Sequence, residues 1–154
     1  MVTFVTAFIS PRANDYEREE RRLTAMLRER FPADSAAVMR KLVAWRSAHP
    51  VPKVGLDEVA DRIDHVRGIA GVDHVGIGSD FDGMGERTIE GLEDVATFPA
   101  LLAELAKRGW TEGDLRKLAG ENILRVLEQA ERVAARLRRQ RPASIQTITR
   151  SATQ

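Results

Sequence analysis

Val75-Gly76-Ile77-Gly78-Ser79-Asp80-Phe81-Asp82-Gly83 is the stretch that decides the reading of this 154-residue chain. Its first part is short, apolar and rich in β-branched residues, and 74–79 reads as a buried strand. The strand ends in Gly, Ser and Asp and runs into the polar loop Phe81-Asp82-Gly83-Met84-Gly85. A helix precedes it. After Gly55, residues Val59, Ile63, Val66 and Ile69 form an apolar stripe at helical spacing, and Gly71 stands where a helix cap belongs. Helix, tight turn, strand and polar loop, in that order, are the repeat unit of an α/β fold. In α/β barrels the carboxyl ends of the strands gather the loops that do chemistry. Asp80 sits directly after such a strand, on a rigid element, and is the candidate catalytic residue. Its carboxylate could accept a hydrogen bond from a substrate amine, contact a metal, or take a proton from metal-bound water. Gly76 and Gly78 read as places where backbone or ligand comes close. Asp82 is a weaker substrate-binding candidate. Asp82-Gly83 reads equally well as turn chemistry, with Gly83 at positive φ.

Upstream, residues 1–9 are apolar on both faces and rich in Val, Phe, Thr and Ile, which predicts a second parallel strand. Residues 15–30 predict a charged amphipathic helix carrying Tyr16, Leu23, Met26 and Leu27. Asp34 or Ser35 caps another, with Val38, Leu42 and Trp45 on one face. His49-Pro50-Val51-Pro52 is a stiff connector. Downstream, Thr97 is placed to cap a helix built on Leu101, Leu102 and Leu105. Thr111 and Asp114 have the spacing of a capping box. Gly120 interrupts, and 121–139 predicts a long helix with Ile123, Leu124, Leu127, Val133 and Leu137 turned inward. Residues 1–140 are expected to be one domain, and 141–154, which lack periodicity, a disordered tail.

Composition narrows the function classes. A formal net charge of +1 gives no field for nucleic acid. The absence of cysteine excludes disulfides and thiolate metal sites. No apolar run approaches a membrane span, and the first basic residue, Arg12, follows the apolar start, unlike a signal peptide. A cytoplasmic location is the corresponding expectation. The Glu/Arg run at 17–22 reads as a solvated helix face. Arginines 132, 136, 138, 139 and 141 meet the negative end of a helix dipole. Trp45 and Trp110 read as packing anchors.

Several pieces of this chain resemble the membrane dipeptidase (renal dipeptidase-like) family of zinc peptidases. They are residues 1–5, the helix segment 59–66, Val72 to Gly83, Gly91-Leu92-Glu93-Asp94, Trp110-Thr111-Glu112, and Gly120 to Val126. The resemblance covers about residues 1–133 and is most specific over 72–94. It implies the C-terminal part of a (β/α)8 barrel of the TIM type, with 1–9 and 74–79 as its last two parallel strands and several helices around them. It also implies dipeptide hydrolysis at a pair of zinc ions, with Asp80 contacting the bound dipeptide near the metals. In the family the zinc ligands come from earlier segments, so no residue here inherits that role and no metal ligand is assigned. His65 and His74 fall in motifs away from the metals, and His49 lies in a connector. Two expectations compete. In the first, the chain is a piece of a metal-dependent dipeptidase that needs a missing N-terminal barrel portion, or self-association, to complete it. In the second, it is a non-catalytic remnant or interaction module that pairs through an exposed strand edge.

Overall fold

The computed structural model describes residues 1–83 and 87–141; of the expected tail, 141–154, all but Arg141 lies outside them. Strand β1 (Val2–Thr3) runs parallel to β2 (Ile77–Ser79), with Val2 opposite Ile77 and Thr3 opposite Ser79. The amide of Val2 donates to the Gly76 carbonyl, and that of Phe4 to Ser79, both at 2.7 Å. Gly78 has a physical reason: a β-carbon there would lie 3.1 Å from the Val2 carbonyl oxygen. Gly76 has ordinary room, its nearest neighbour at 3.6 Å.

The long N-terminal strand expected over 1–9 is not formed. After Phe4 the chain leaves the sheet and makes one helical turn, α1 (Thr6–Ile9). The β-forming composition yields to local bonding: Phe8 and Ile9 both donate to the Val5 carbonyl, and Ser10 donates to Thr6. Pro11 does not merely end a strand. It opens α2 (Pro11–Arg30) at a position where its missing N–H goes unused. Helix α3 (Ser35–Ala48) starts as expected, Asp34 accepting from the Ala37 amide at 2.8 Å. Leu27, Val38 and Leu42 give the α2–α3 hairpin its own small core.

The main core lies between β1, β2 and the helices that follow. Helix α4 (Leu56–Ala70) buries Val59, Ala60 and Ile63, and ends at Gly71, whose φ of 86° suits glycine. Ile69 does not belong to the buried stripe: it is 75% exposed on the last turn, beyond the reach of the sheet. Residues Val72–His74 form a 3-10 turn, so β2 is shorter than the expected 74–79. Helix α5 (Phe98–Lys107) buries Leu101 and Leu105. Thr97 does not cap it with its side chain; its hydroxyl donates instead to the Asp94 carbonyl. The capping box of α6 (Glu112–Arg116) forms as expected between Thr111 and Asp114. Arg108 ties α4 to α5 through Asp61 and Asp64, and Trp110 donates to Asp64 at 2.7 Å. One π turn (Lys117–Glu121) follows, and then α7 (Asn122–Gln140).

Helix α7 departs most from expectation. Ile123, Leu124, Leu127 and Val133 face solvent at 51, 58, 54 and 42% exposure. The stripe exists, but among the described residues no element lies against it. What fixes the start of α7 is Asn122, buried and donating to the carbonyls of Val72 and Val75 at 2.7 and 2.9 Å. Among the described residues, no helix is long and apolar enough to cross a membrane.

Candidate active site

Asp80 is exposed, at the carboxyl end of β2. Its backbone is unusual. Ser79 has φ 43° and Asp80 φ 74°, two consecutive non-glycine residues at positive φ. Side chains disfavour that region, and such conformations persist where the surroundings enforce them. The surroundings here are visible. The Ser79 carbonyl accepts from the Phe4 amide and the Thr3 hydroxyl, which fixes the strand end. Beyond it, Phe81–Gly83 forms a 3-10 turn in which the Gly83 amide donates to the Asp80 carbonyl at 3.0 Å.

Gly83 also makes room for the candidate side chain. A β-carbon at 83 would stand 2.8 Å from Asp80 Oδ1 and 3.1 Å from its Cγ. The positive φ expected at Gly83 therefore falls at Ser79 and Asp80 instead. Gly83 leaves room for the Asp80 carboxylate in the orientation it takes here. Asp82 is exposed on the same turn, so the structure brings both acidic candidates to one loop.

An aromatic cluster clamps that loop from below. Phe81 meets Phe4 edge-on at 5.7 Å between ring centroids, and Phe98 at 5.9 Å; Phe4 and Phe98 are 5.9 Å apart. The three rings come from the end of β1, the residue after Asp80, and the first residue of α5. Phe4 is fully buried. A lone aromatic between two acids in a polar loop was the available sequence signal for this clamp.

A second anchor carries no sequence signal. The Glu/Arg run at 17–22 is not wholly solvated, because Glu17 and Glu20 turn toward Arg87. Its guanidinium reaches Glu20 at 2.5 Å and Glu17 at 3.2 Å, over the ring of Tyr16. Arg46 of α3 holds the other Glu20 oxygen. Burial pushes the Glu20 carboxyl up, but bonds and charge from Arg87 and Arg46 outweigh it and hold the group below the usual carboxylate range.

The histidines stand on separate elements. His49 stacks on Trp45 at 4.7 Å, while His65 on α4 and His74 on the 3-10 turn are exposed. Trp45 leans in turn on Tyr16, and Trp110 is buried in the main core. Among the described residues, no three His, Cys, Asp or Glu side chains stand together in a way that could hold a metal ion.

A parallel strand pair, helices in the crossover, and a carboxylate where the second strand turns into its loop define an α/β chain with a strand-end acidic site. Comparison with known proteins carries this further. The family model for membrane dipeptidase (peptidase family M19) matches residues 1–141, and the chain belongs to that family. It is 46% identical over 83 residues to "Dipeptidase verJ" of Clonostachys rogersoniana, covering 54% of this chain and 21% of that protein. It is 45% identical over 84 residues to human "Dipeptidase 3", covering 54% of this chain and 17% of that protein. The solved structure of "the probable dipeptidase PvdM" from Pseudomonas aeruginosa superposes with a TM-score of 0.57 at 28% identity. It covers 81% of this chain and 35% of that one. The chain spans about a fifth of the length of the curated relatives it matches.

Proposed function

We propose that residues 1–140 are the C-terminal part of a metal-dependent dipeptidase barrel, and that Asp80 contacts the substrate. The observation that carries this is the Asp80 turn itself: an exposed carboxylate at a parallel strand end, in an enforced positive-φ backbone, within a dipeptidase-family chain. In this reading β1 and β2 are the last two strands of a (β/α)8 barrel, whose loops gather above their carboxyl ends. A dipeptide carries a free ammonium group. A fixed carboxylate holds such a group by charge-assisted hydrogen bonds and so sets the position of the adjacent peptide bond. Asp82, on the same turn, is a secondary contact.

The described residues do not fit the zinc pair that the family resemblance implies. They offer no cluster of ligands, and the histidines are dispersed. The zinc ligands are assigned to the remainder of the barrel, which would also cover the bare face of α7. A second copy of the chain is the other available cover.

The test is a chimera. Residues 1–133 replace the matching segment of an active full-length dipeptidase, and dipeptide hydrolysis is measured. The chimera is expected to be active, and Asp80→Ala to lower kcat/KM on the order of 100-fold. A folded, zinc-loaded chimera that hydrolyses nothing overturns the assignment. Full activity in Asp80→Ala removes Asp80 from it. The 154-residue chain alone is expected to retain no stoichiometric zinc after dialysis and to show no hydrolysis.

A further inference from the structure

We infer that Arg87 is a positioning residue, which holds the Asp80 turn in place from α2. The functional part of this rests on the reading of Asp80 as the substrate contact. The loop leaving β2 is anchored near its start by Phe81, in the aromatic cluster. Arg87, further along the chain, is a charged anchor. The socket that receives it is built from one face of α2: Tyr16, Glu17 and Glu20 lie within about one and a half turns of one another. Glu17 and Glu20 take separate nitrogens of the guanidinium, and the Tyr16 ring lies 5.4 Å beneath its carbon. Planar, delocalised guanidinium suits both contacts at once; a lysine would make one.

The socket is stiffened from behind. Glu20 is 8% exposed and shared with Arg46, while Tyr16 lies 5.0 Å from the ring of Trp45. Both partners come from α3. The α2–α3 hairpin therefore grips the loop through a half-buried ion cluster, which solvent screens less than a surface pair. Nothing else described on α2 reaches this loop through charge. Releasing Arg87 removes the charged tie between α2 and the chain that follows the Asp80 turn. The Asp80 turn, with positive φ at two residues, then loses a restraint that keeps its carboxylate aimed.

Residue-resolved amide exchange on the full 154-residue chain tests this. The reporter is the Gly83 amide, which donates to the Asp80 carbonyl. Arg87→Gln is expected to speed its exchange on the order of 10-fold, with the core amides of Ile63 and Leu105 unchanged. Glu17→Gln, which removes the longer pair, should do so more weakly. Arg87→Lys, which keeps one of the guanidinium contacts, should restore part of the protection. An unchanged Gly83 amide in Arg87→Gln overturns the inference. So does a uniform rise at Gly83, Ile63 and Leu105, which would make Arg87 a general stabiliser. In the active chimera, Arg87→Gln should raise KM more than it lowers kcat. If Asp80→Ala leaves that chimera fully active while Arg87→Gln still releases Gly83, the restraint stands and the substrate-contact reading falls.

Discussion

At the scale of single residues, buried polar groups dominate. Asn122 satisfies two carbonyls at the foot of β2, and no other described side chain bonds to either. Asn122→Ala removes both bonds, and should cost about 1–3 kcal/mol, read as a lower urea midpoint. An unchanged midpoint would show that water replaces the amide freely. Glu20 sets a pH dependence of definite sign. Its folded pKa is lowered from the ordinary 4.5, so its contribution is present above that value and fades as pH falls through the folded value. Urea midpoints measured from neutral pH down to about 3 should fall more steeply in the parent than in Glu20→Gln. Parallel curves would count against the cluster. Sequence pattern placed Asp80 at a strand end, where it stands, because a carboxylate after a short β-branched run is a local signal. It did not reveal Glu20 or Arg87, which lie 67 positions apart. Their pairing is decided by how α2 lies against the loop, and nothing in either segment encodes that alone.

At the scale of elements, periodicity told which residues share a face but not what covers the face. It placed Val59 and Ile63, Leu101 and Leu105, and the α7 stripe with equal force. The first two pairs are fully buried; the α7 stripe is bare. Capping chemistry was more reliable where the donor and acceptor are close in sequence, as at Asp34 and Thr111. It misjudged Thr97, whose hydroxyl found the Asp94 carbonyl first. Residues 1–9 misled for another reason. Their composition favours a strand, but β2 offers only three residues to pair with. The π turn at Lys117–Glu121 left only Gly120 as a hint. It carries one residue more than an α turn and sets the phase of α7. Deleting one residue there should rotate α7 by about 100° and withdraw Asn122 from both carbonyls. The expected outcome is a broad, low-temperature melt by circular dichroism; a native-like melt would show that phase is not enforced.

At the scale of the whole molecule, the balance of covered and uncovered surface is the main fact. The α4–α6 region is closely packed, with seven of its apolar side chains at zero exposure. Phe8, at 65% exposure, and the α7 stripe are open. Apolar patches of this kind mark contact surfaces. Sedimentation of the isolated chain should show concentration-dependent association, reduced by Leu124→Lys with Leu127→Lys. A strict monomer at all concentrations would contradict this. The strand pairing has a consequence in time. Thr3 and Ser79 meet across 76 positions, whereas the α2–α3 hairpin closes within its own neighbourhood. During synthesis β1 must therefore wait without this partner until the residues of β2 have emerged. The hairpin can form while it does, and β1 then docks last against a β2 that the α4 crossover has delivered.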